Sequence, residues 1–349
     1  MKTLYDISWQ VTEPEYRQHP ALSYSTLARY EREGFSKLPT LFDHISSPSL
    51  TFGSVVDELI TGDDKSFNER FIIASFPKLK PGEETAVKAL NEAYGEEYKT
   101  LDTIPDSLML PVLDTSSYNS HWKNDTRTRS LRTNQGCCDY YRLLRASDGK
   151  EVISQEVYDS AIACVEALHN SPATKVYLAN DHGDISRFYQ LKFKGIIDGV
   201  EYRCMADLII VDYKRKAIIP CDLKTSSSPE YEFCHSFLKW RYDLQARLYW
   251  KLIRMAMDAD EFFKDFVLKD YRFIVVNNET RTPLVWEFPK TQDEETLHIG
   301  GKNLRTPWEI GAELRKYLDD KPQVPDGISQ TAAPNNICDW IEKHETYQN

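Results

Sequence analysis

The pattern of apolar and polar positions changes period near residue 185, and that change divides the chain. Before it, apolar residues recur at helical spacing. In LSYSTLARYEREG (22–34), Ser23 or Ser25 offers an N-cap and Gly34 a stop. SLTFGSVVDELITG carries Phe52, Val55, Val56, Leu59 and Ile60 at three- and four-residue intervals ahead of Gly62. Residues 152–172, VISQEVYDSAIACVEALHNSP, read as an amphipathic helix stopped by Pro172. Between these, residues 63–150 are charged and irregular, with a helix expected around Glu83–Lys99 and a loop through SSYNSHWKNDTRTRS.

After residue 185 the segments ISRFYQLKFKG, EYRCMADLIIVD and KAIIPCDLKT alternate or run apolar, divided by turns near Asp198-Gly199 and Tyr213–Lys216. Connections that short make consecutive strands an antiparallel meander. One long helix follows, with Phe237, Trp240, Leu244, Leu248, Leu252 and Met255 on its stripe. Two more strands, DYRFIVVNN and PLVWEF, precede a helix near Trp308–Leu318 and a loosely structured tail from Pro322. No internal repeat interrupts the pattern. The expected fold class is α/β of the α+β kind, a mixed sheet flanked by helices behind a helical N-terminal region.

Composition narrows the function classes. The 349 residues are 41% hydrophobic and 28% charged, enough for a sizeable core. No window approaches the roughly 18 apolar residues of a membrane span, and MKTLYDISWQVTEPEY has no apolar signal-peptide region, so a cytoplasmic location is expected. Seven cysteines without a repeating framework suggest reduced thiols, and no CxxC or HxxxH pattern suggests zinc. The net charge of −11 weighs against nucleic acid, but it is unevenly spread: residues 258–349 hold eighteen acidic groups against eleven basic, whereas 121–145 hold six basic against two.

The candidate chemistry begins in PCDLKTS (220–226). Asp207 lies within the strand pattern MADLIIVD, and Asp222 falls fifteen residues later, near the end of the next strand. Across a meander, that spacing lets two carboxylates meet. Sharing one place, they repel unless a positive group stands between them, and a hard cation such as Mg²⁺ or Mn²⁺ fits, with the Leu223 carbonyl as a further oxygen ligand. Lys224 shares a strand face with Asp222, where its ammonium could orient an attacking water and steady phosphate charge. On the following helix Gln245 and Tyr249 stand four apart, on one side. Asp57, on an otherwise apolar helix four residues after Gly53, must find a partner or a metal.

Asp207, Asp222-Leu223-Lys224 and Gln245-Ala-Arg-Leu-Tyr249 together resemble the PD-(D/E)XK nuclease superfamily, in its Q-x-x-x-Y branch of RecB-type domains and RecE-like (exonuclease VIII) phage enzymes. LSYSTLARYE and LTFGSVVDELITG are similar to the opening of the RecE-like group, and the resemblance runs from about residue 20 to 255. It implies one nuclease domain over 1–349: N-terminal helices (20–62), an insertion (63–150), a restriction-endonuclease-like core (151–290), and a C-terminal helix and tail (291–349). It further implies a Mg²⁺- or Mn²⁺-dependent 5′-to-3′ exonuclease on linear duplex ends in phage recombination. Partners by the same analogy are DNA, a single-strand annealing recombinase, and copies of this chain in a ring. Asp207, Asp222 and the Leu223 carbonyl would hold metal, Lys224 would be catalytic, and Gln245 and Tyr249 would position. Ala206 replaces the motif's proline, and Asp57 stands where much of the branch has a metal-binding histidine. The one late cysteine, Cys338, leaves no set for an iron–sulfur cluster.

A second candidate lies in the expected loop, where Tyr118, His121 and Trp122 interleave with Lys123, Arg127, Arg129 and Arg132. Such a mixture suits a strand end through stacking and phosphate pairing. Two alternatives stay open: an endonuclease acting on host DNA, and a nuclease-fold protein that binds DNA or protein without turnover.

Overall fold

A computed structural model describes residues 2–43, 47–76 and 78–320 of the chain. The tail from Pro322, with Cys338, lies outside the described residues. Helix α1 (Glu13–Gln18) starts at a Thr12 cap, α2 (Tyr24–Glu33) follows Ser23, and Gly34 ends α2 with φ +74°. Ser47 caps α3 (Pro48–Thr61) with Pro48 in its first turn, and Asp63 caps α4 (Asp64–Arg70). A short strand β1 (Phe71–Ile73) leads into the region expected to be irregular.

That expectation holds for the helix around Glu83–Lys99 and is overturned for the rest. Residues 81–146 form four helices, α5 (Pro81–Tyr94), α6 (Asp106–Thr115), α7 (Asn124–Thr133) and α8 (Gln135–Ala146). Their charge masks a full apolar stripe. Val87, Leu90, Leu101, Ile104, Met109, Leu113, Leu131, Tyr140 and Tyr141 are buried together as a hydrophobic cluster of their own. The expected loop thus contains α7. Strand β2 (Glu151–Ile153) pairs parallel with β1, and α9 (Gln155–Asn170) and the single-turn α10 (Lys175–Leu178) follow.

The meander is present as β3 (Ile185–Ile197), β4 (Val200–Asp212) and β5 (Ala217–Ser226), all antiparallel. The single long helix expected next is two, α11 (Phe233–Trp240) and α12 (Tyr242–Asp258). Arg241 breaks them with φ +56°, its guanidinium held by Asp243, Glu31 and the Arg305 carbonyl. After β6 (Val267–Leu268), β7 (Tyr271–Asn277) runs parallel to β5 and β8 (Pro283–Phe288) antiparallel to β7. The central order is β3-β4-β5-β7-β8, with β6 beside the start of β5. A hairpin of β9 (Leu297–Ile299) and β10 (Lys302–Leu304) precedes α13 (Pro307–Asp320). One core joins the sheet to α2, α11, α12 and α13 and the other joins it to α3 and α9, so the sheet is a middle layer. Among the described residues no helix is long and apolar enough to cross a membrane, and the cysteines are free.

Two faults in this regular sheet decide where chemistry can sit. Strand β5 pairs with β4 only as far as Leu208↔Cys221, and from Cys221 onward it pairs with β7. The strands β4 and β5 therefore part at Asp207 and Asp222, which the same register sets opposite each other. The second fault crosses β3 and β4. Phe188 and Leu191, three residues apart, both enter the core beneath α12, as do Ala206 and Ile209. A regular strand would send residues three apart to opposite faces. The slip occurs at Gln190, whose φ is +53°, with the pairs Tyr189↔Leu208 and Leu191↔Ala206 in unchanged register on either side. A non-glycine residue held there costs about 1–3 kcal/mol.

Packing of α13 gives a direct test of the core. A Cβ added at Gly311 would lie 2.7 Å from Cζ of the fully buried Tyr202. Alanine gains about 1 kcal/mol of helix propensity, but overpacking costs about 1–3 kcal/mol. Gly311→Ala is expected to lower the urea midpoint at unchanged m-value; a raised midpoint would mean that this helix is not seated on Tyr202.

A candidate active site where two strands part

The parting of β4 and β5 leaves the Leu223 N–H without a strand acceptor, and the Asp207 carboxylate takes it at 3.0 Å. A strand residue points its N–H and C=O to one side, so the Leu223 carbonyl faces the same gap. Asp222, fully buried, sits on the α12 face of β5. Its Oδ1 accepts from the Gln245 amide, and its Oδ2 forms an ion pair with the Lys224 ammonium and carries no further hydrogen bond. Lys224 in turn lies 5.1 Å above the ring of Tyr242, the first residue of α12. On the opposite layer Gly53 lets α3 lie close to β5, 3.4 Å separating a Cβ at that position from Thr225 Oγ1. That approach carries Asp57 toward the gap, where the Gln190 amide donates to both its oxygens at 2.9 and 3.2 Å.

Asp57, Asp207, Asp222, Lys224 and Gln245 are thus brought together. Tyr249 lies one turn along α12 from Gln245, buried, its ring 6.1 Å from that of Tyr271. Burial pushes its hydroxyl well above the usual tyrosine range, with Tyr16, Cys204, Asp222 and Asp207 adding to the effect, so it is a neutral wall of the site.

The electrostatics are unbalanced. Burial raises the Asp57 carboxyl to about 7; Arg70 opposes this, and Asp222 and Glu58 reinforce it. Burial likewise lifts Asp207 well above the ordinary carboxylate range, aided by the charges of Asp222 and Asp57. Burial alone would lower Lys224, but Asp222, Tyr242 and Asp207 outweigh it and hold the ammonium protonated. One lysine therefore faces three acids. Such a site suits a hard divalent cation, which needs only one or two carboxylates, a carbonyl and waters. Asp207, Asp222 and the Leu223 carbonyl supply that donor set. Among the described residues no group of three or more His, Cys, Asp or Glu side chains is placed to hold a metal, so the donor set is two carboxylates and a carbonyl, with Asp57 beside it on α3.

The second candidate set does not join the site. Arg127 is 3% exposed, buried with its guanidinium donating to the Tyr118 carbonyl and Asp114. Arg132 binds Asp106 and the Ile104 carbonyl. Neither is free for phosphate; Trp122, Lys123 and Arg129 remain exposed on the α5–α8 layer. Sequence reasoning also missed three neighbours of the site, Gln190, Tyr242 and Arg70. Only Gln190 left a trace, in the three-residue spacings Phe188 to Leu191 and Ala206 to Ile209.

No family model matches the chain, and no curated protein matches it. Among solved structures, a proposed exonuclease from Eubacterium rectale aligns with a TM-score of 0.32 and 11% identity, over 80% of this chain and 87% of that one. A likeness that slight carries no argument about fold or activity.

Asp57 predicts a pH dependence. Its folded value of about 7 lies above the unfolded value near 4, so the folded state holds the extra proton and is stabilised below pH ~4. That contribution is lost as pH rises through about 7. In chelator at pH 8, Asp57→Asn is expected to be more stable than the wild type by about 1–3 kcal/mol, with the difference vanishing near pH 4. Denaturant melts at both pH values check this; equal stability at pH 8 would refute it.

Proposed function

We propose that this chain is a metal-dependent deoxyribonuclease of the PD-(D/E)XK kind, hydrolysing phosphodiester bonds. The observation that carries the proposal is the meeting of Asp207, Asp222, Lys224 and Gln245 where β4 and β5 part. A purely structural role needs no two acids in register beside a buried lysine, because burying like charges destabilises a fold.

The chemistry divides among the residues. Asp207, Asp222 and the Leu223 carbonyl would hold Mg²⁺ or Mn²⁺, and Asp57 could join them from α3. When bound, the cation would lower the pKa of water and offset phosphate charge. Lys224 stays protonated, so it serves as a charged donor to the phosphate or the attacking water and not as a general base. Gln245 fixes the Asp222 carboxylate through Oδ1, leaving Oδ2 toward Lys224. Tyr242 flanks the ammonium and limits its wandering. Exonuclease action on linear duplex ends, 5′-to-3′ and serving phage recombination with an annealing partner, is the form we propose on the motif resemblance. The acidic balance of the chain, and Asp57 where much of the branch has a histidine, favour the second reading, a nuclease-fold protein that binds without turnover.

Linear duplex DNA labelled at one 5′ end, incubated with Mg²⁺, Mn²⁺ or EDTA beside a closed circle, tests the proposal. Loss of the linear DNA only with metal, the circle spared, is the expected outcome, with a drop of about 10²–10³-fold in Lys224→Ala, the cost of removing one group that stabilises developing charge, and a larger drop in Asp222→Ala, with which the metal site falls. Cutting of the circle would make it an endonuclease. Binding without cleavage under either metal would overturn the enzymatic reading.

A further inference from the structure

We propose that Gln190 is a positioning residue of this site, its side-chain amide holding the Asp57 carboxylate where it can serve a divalent cation. The inference rests on the metal-dependent reading above and adds a residue that the motif resemblance does not contain.

Three observations converge on it. Gln190 is the one residue of β3 with a left-handed backbone, φ +53°. The register is the same before and after it, so no extra residue has been inserted, and a β-bulge does not account for the kink. Continuing that register sets Gln190 opposite Asp207, the residue at which β4 leaves β5. The kinked position therefore lies in line with Asp207 and Asp222 across three neighbouring strands. From there the amide nitrogen reaches across to α3 and donates to both oxygens of Asp57, at 2.9 and 3.2 Å. The ionised carboxylate, the form that a cation binds, only accepts, so it is the amide nitrogen that faces it.

The chemistry of the choice is consistent. Asp57 already feels the charge of Asp222 and Glu58. A lysine or arginine at position 190 would pair with Asp57 and compete with a cation for it. An amide orients the carboxylate without neutralising it, as hydrogen-bonding partners behind metal ligands commonly do. Glycine would satisfy the backbone at this position more easily than glutamine does. That a long amide side chain occupies it points to a use for the side chain itself.

Separating the side chain from the backbone gives the test. Mn²⁺ binding, read from the paramagnetic signal of the free ion, is compared for wild type, Gln190→Gly, Gln190→Asn and Asp222→Ala, each with a urea melt. Both replacements tolerate the left-handed backbone, and neither reaches Asp57. We expect both to give a cooperative urea melt, as folded proteins do, and to bind Mn²⁺ about 10-fold or more weakly, with kcat lowered and KM for DNA little changed. Wild-type Mn²⁺ affinity in either folded variant would overturn the role of Gln190 while leaving the nuclease reading intact. Failure of the wild type to bind Mn²⁺, or equal binding by Asp222→Ala, would overturn both.

Discussion

The change of partner by β5, from β4 to β7 at Cys221, is the constraint on which the rest of the site depends. A buried N–H left by a departing strand must find another acceptor. Asp207 supplies it through its side chain, which brings a carboxylate into the plane of the sheet beside the Leu223 carbonyl. The fork therefore does two things at once. It opens a polar gap inside an apolar layer, and it lines that gap with oxygen atoms from two strands. Had the ladder continued, Leu223 would have bonded to strand backbone, and Asp207 would have had no reason to turn inward.

Holding acids together in such a gap works against stability, and the surroundings show how the cost is contained. The Asp222 carboxylate is gripped by the Gln245 amide and the Lys224 ammonium, and the ammonium by the face of Tyr242. Asp57 is approached by the Gln190 amide and, at longer range, by the charge of Arg70, which Glu58 already pairs at 3.1 Å. The residual negative charge is what a divalent cation would relieve.

Rigidity behind the site comes from a second network, one that makes no contact with the carboxylates of the gap. Arg241 turns the chain from α11 into α12 and is bound by Asp243 at 2.9 Å and by Glu31 of α2 at 2.6 Å. Arg305 joins Glu31 to Glu313 of α13, and Tyr30 closes the set on Glu313 at 2.5 Å. Three helices are thereby tied at the start of α12, one turn from Gln245. Farther along the same helix the buried Arg247 pins the Asp293 and Glu295 carbonyls. The position of Gln245 against Asp222 follows from these ties.

Local pattern was enough to determine the meander, the Gly34 and Gly62 ends of α2 and α3, and the order of Asp57, Asp207, Asp222, Lys224, Gln245 and Tyr249, because periodicity and capping act over a few residues. It found the helix near Glu83 but failed for residues 106–146, where charge on the exposed faces hid the apolar stripes of three helices, and at Arg241, where acids from α2 and α12 stabilise a break that helix propensity alone would not make. Only the tertiary structure decided that Arg127 and Arg132 are spent internally, that β5 leaves β4 at Asp222, and that Gln190 reaches Asp57. Each of these depends on groups far apart in the chain competing for the same hydrogen bonds, and the outcome of that competition is set by packing in three dimensions.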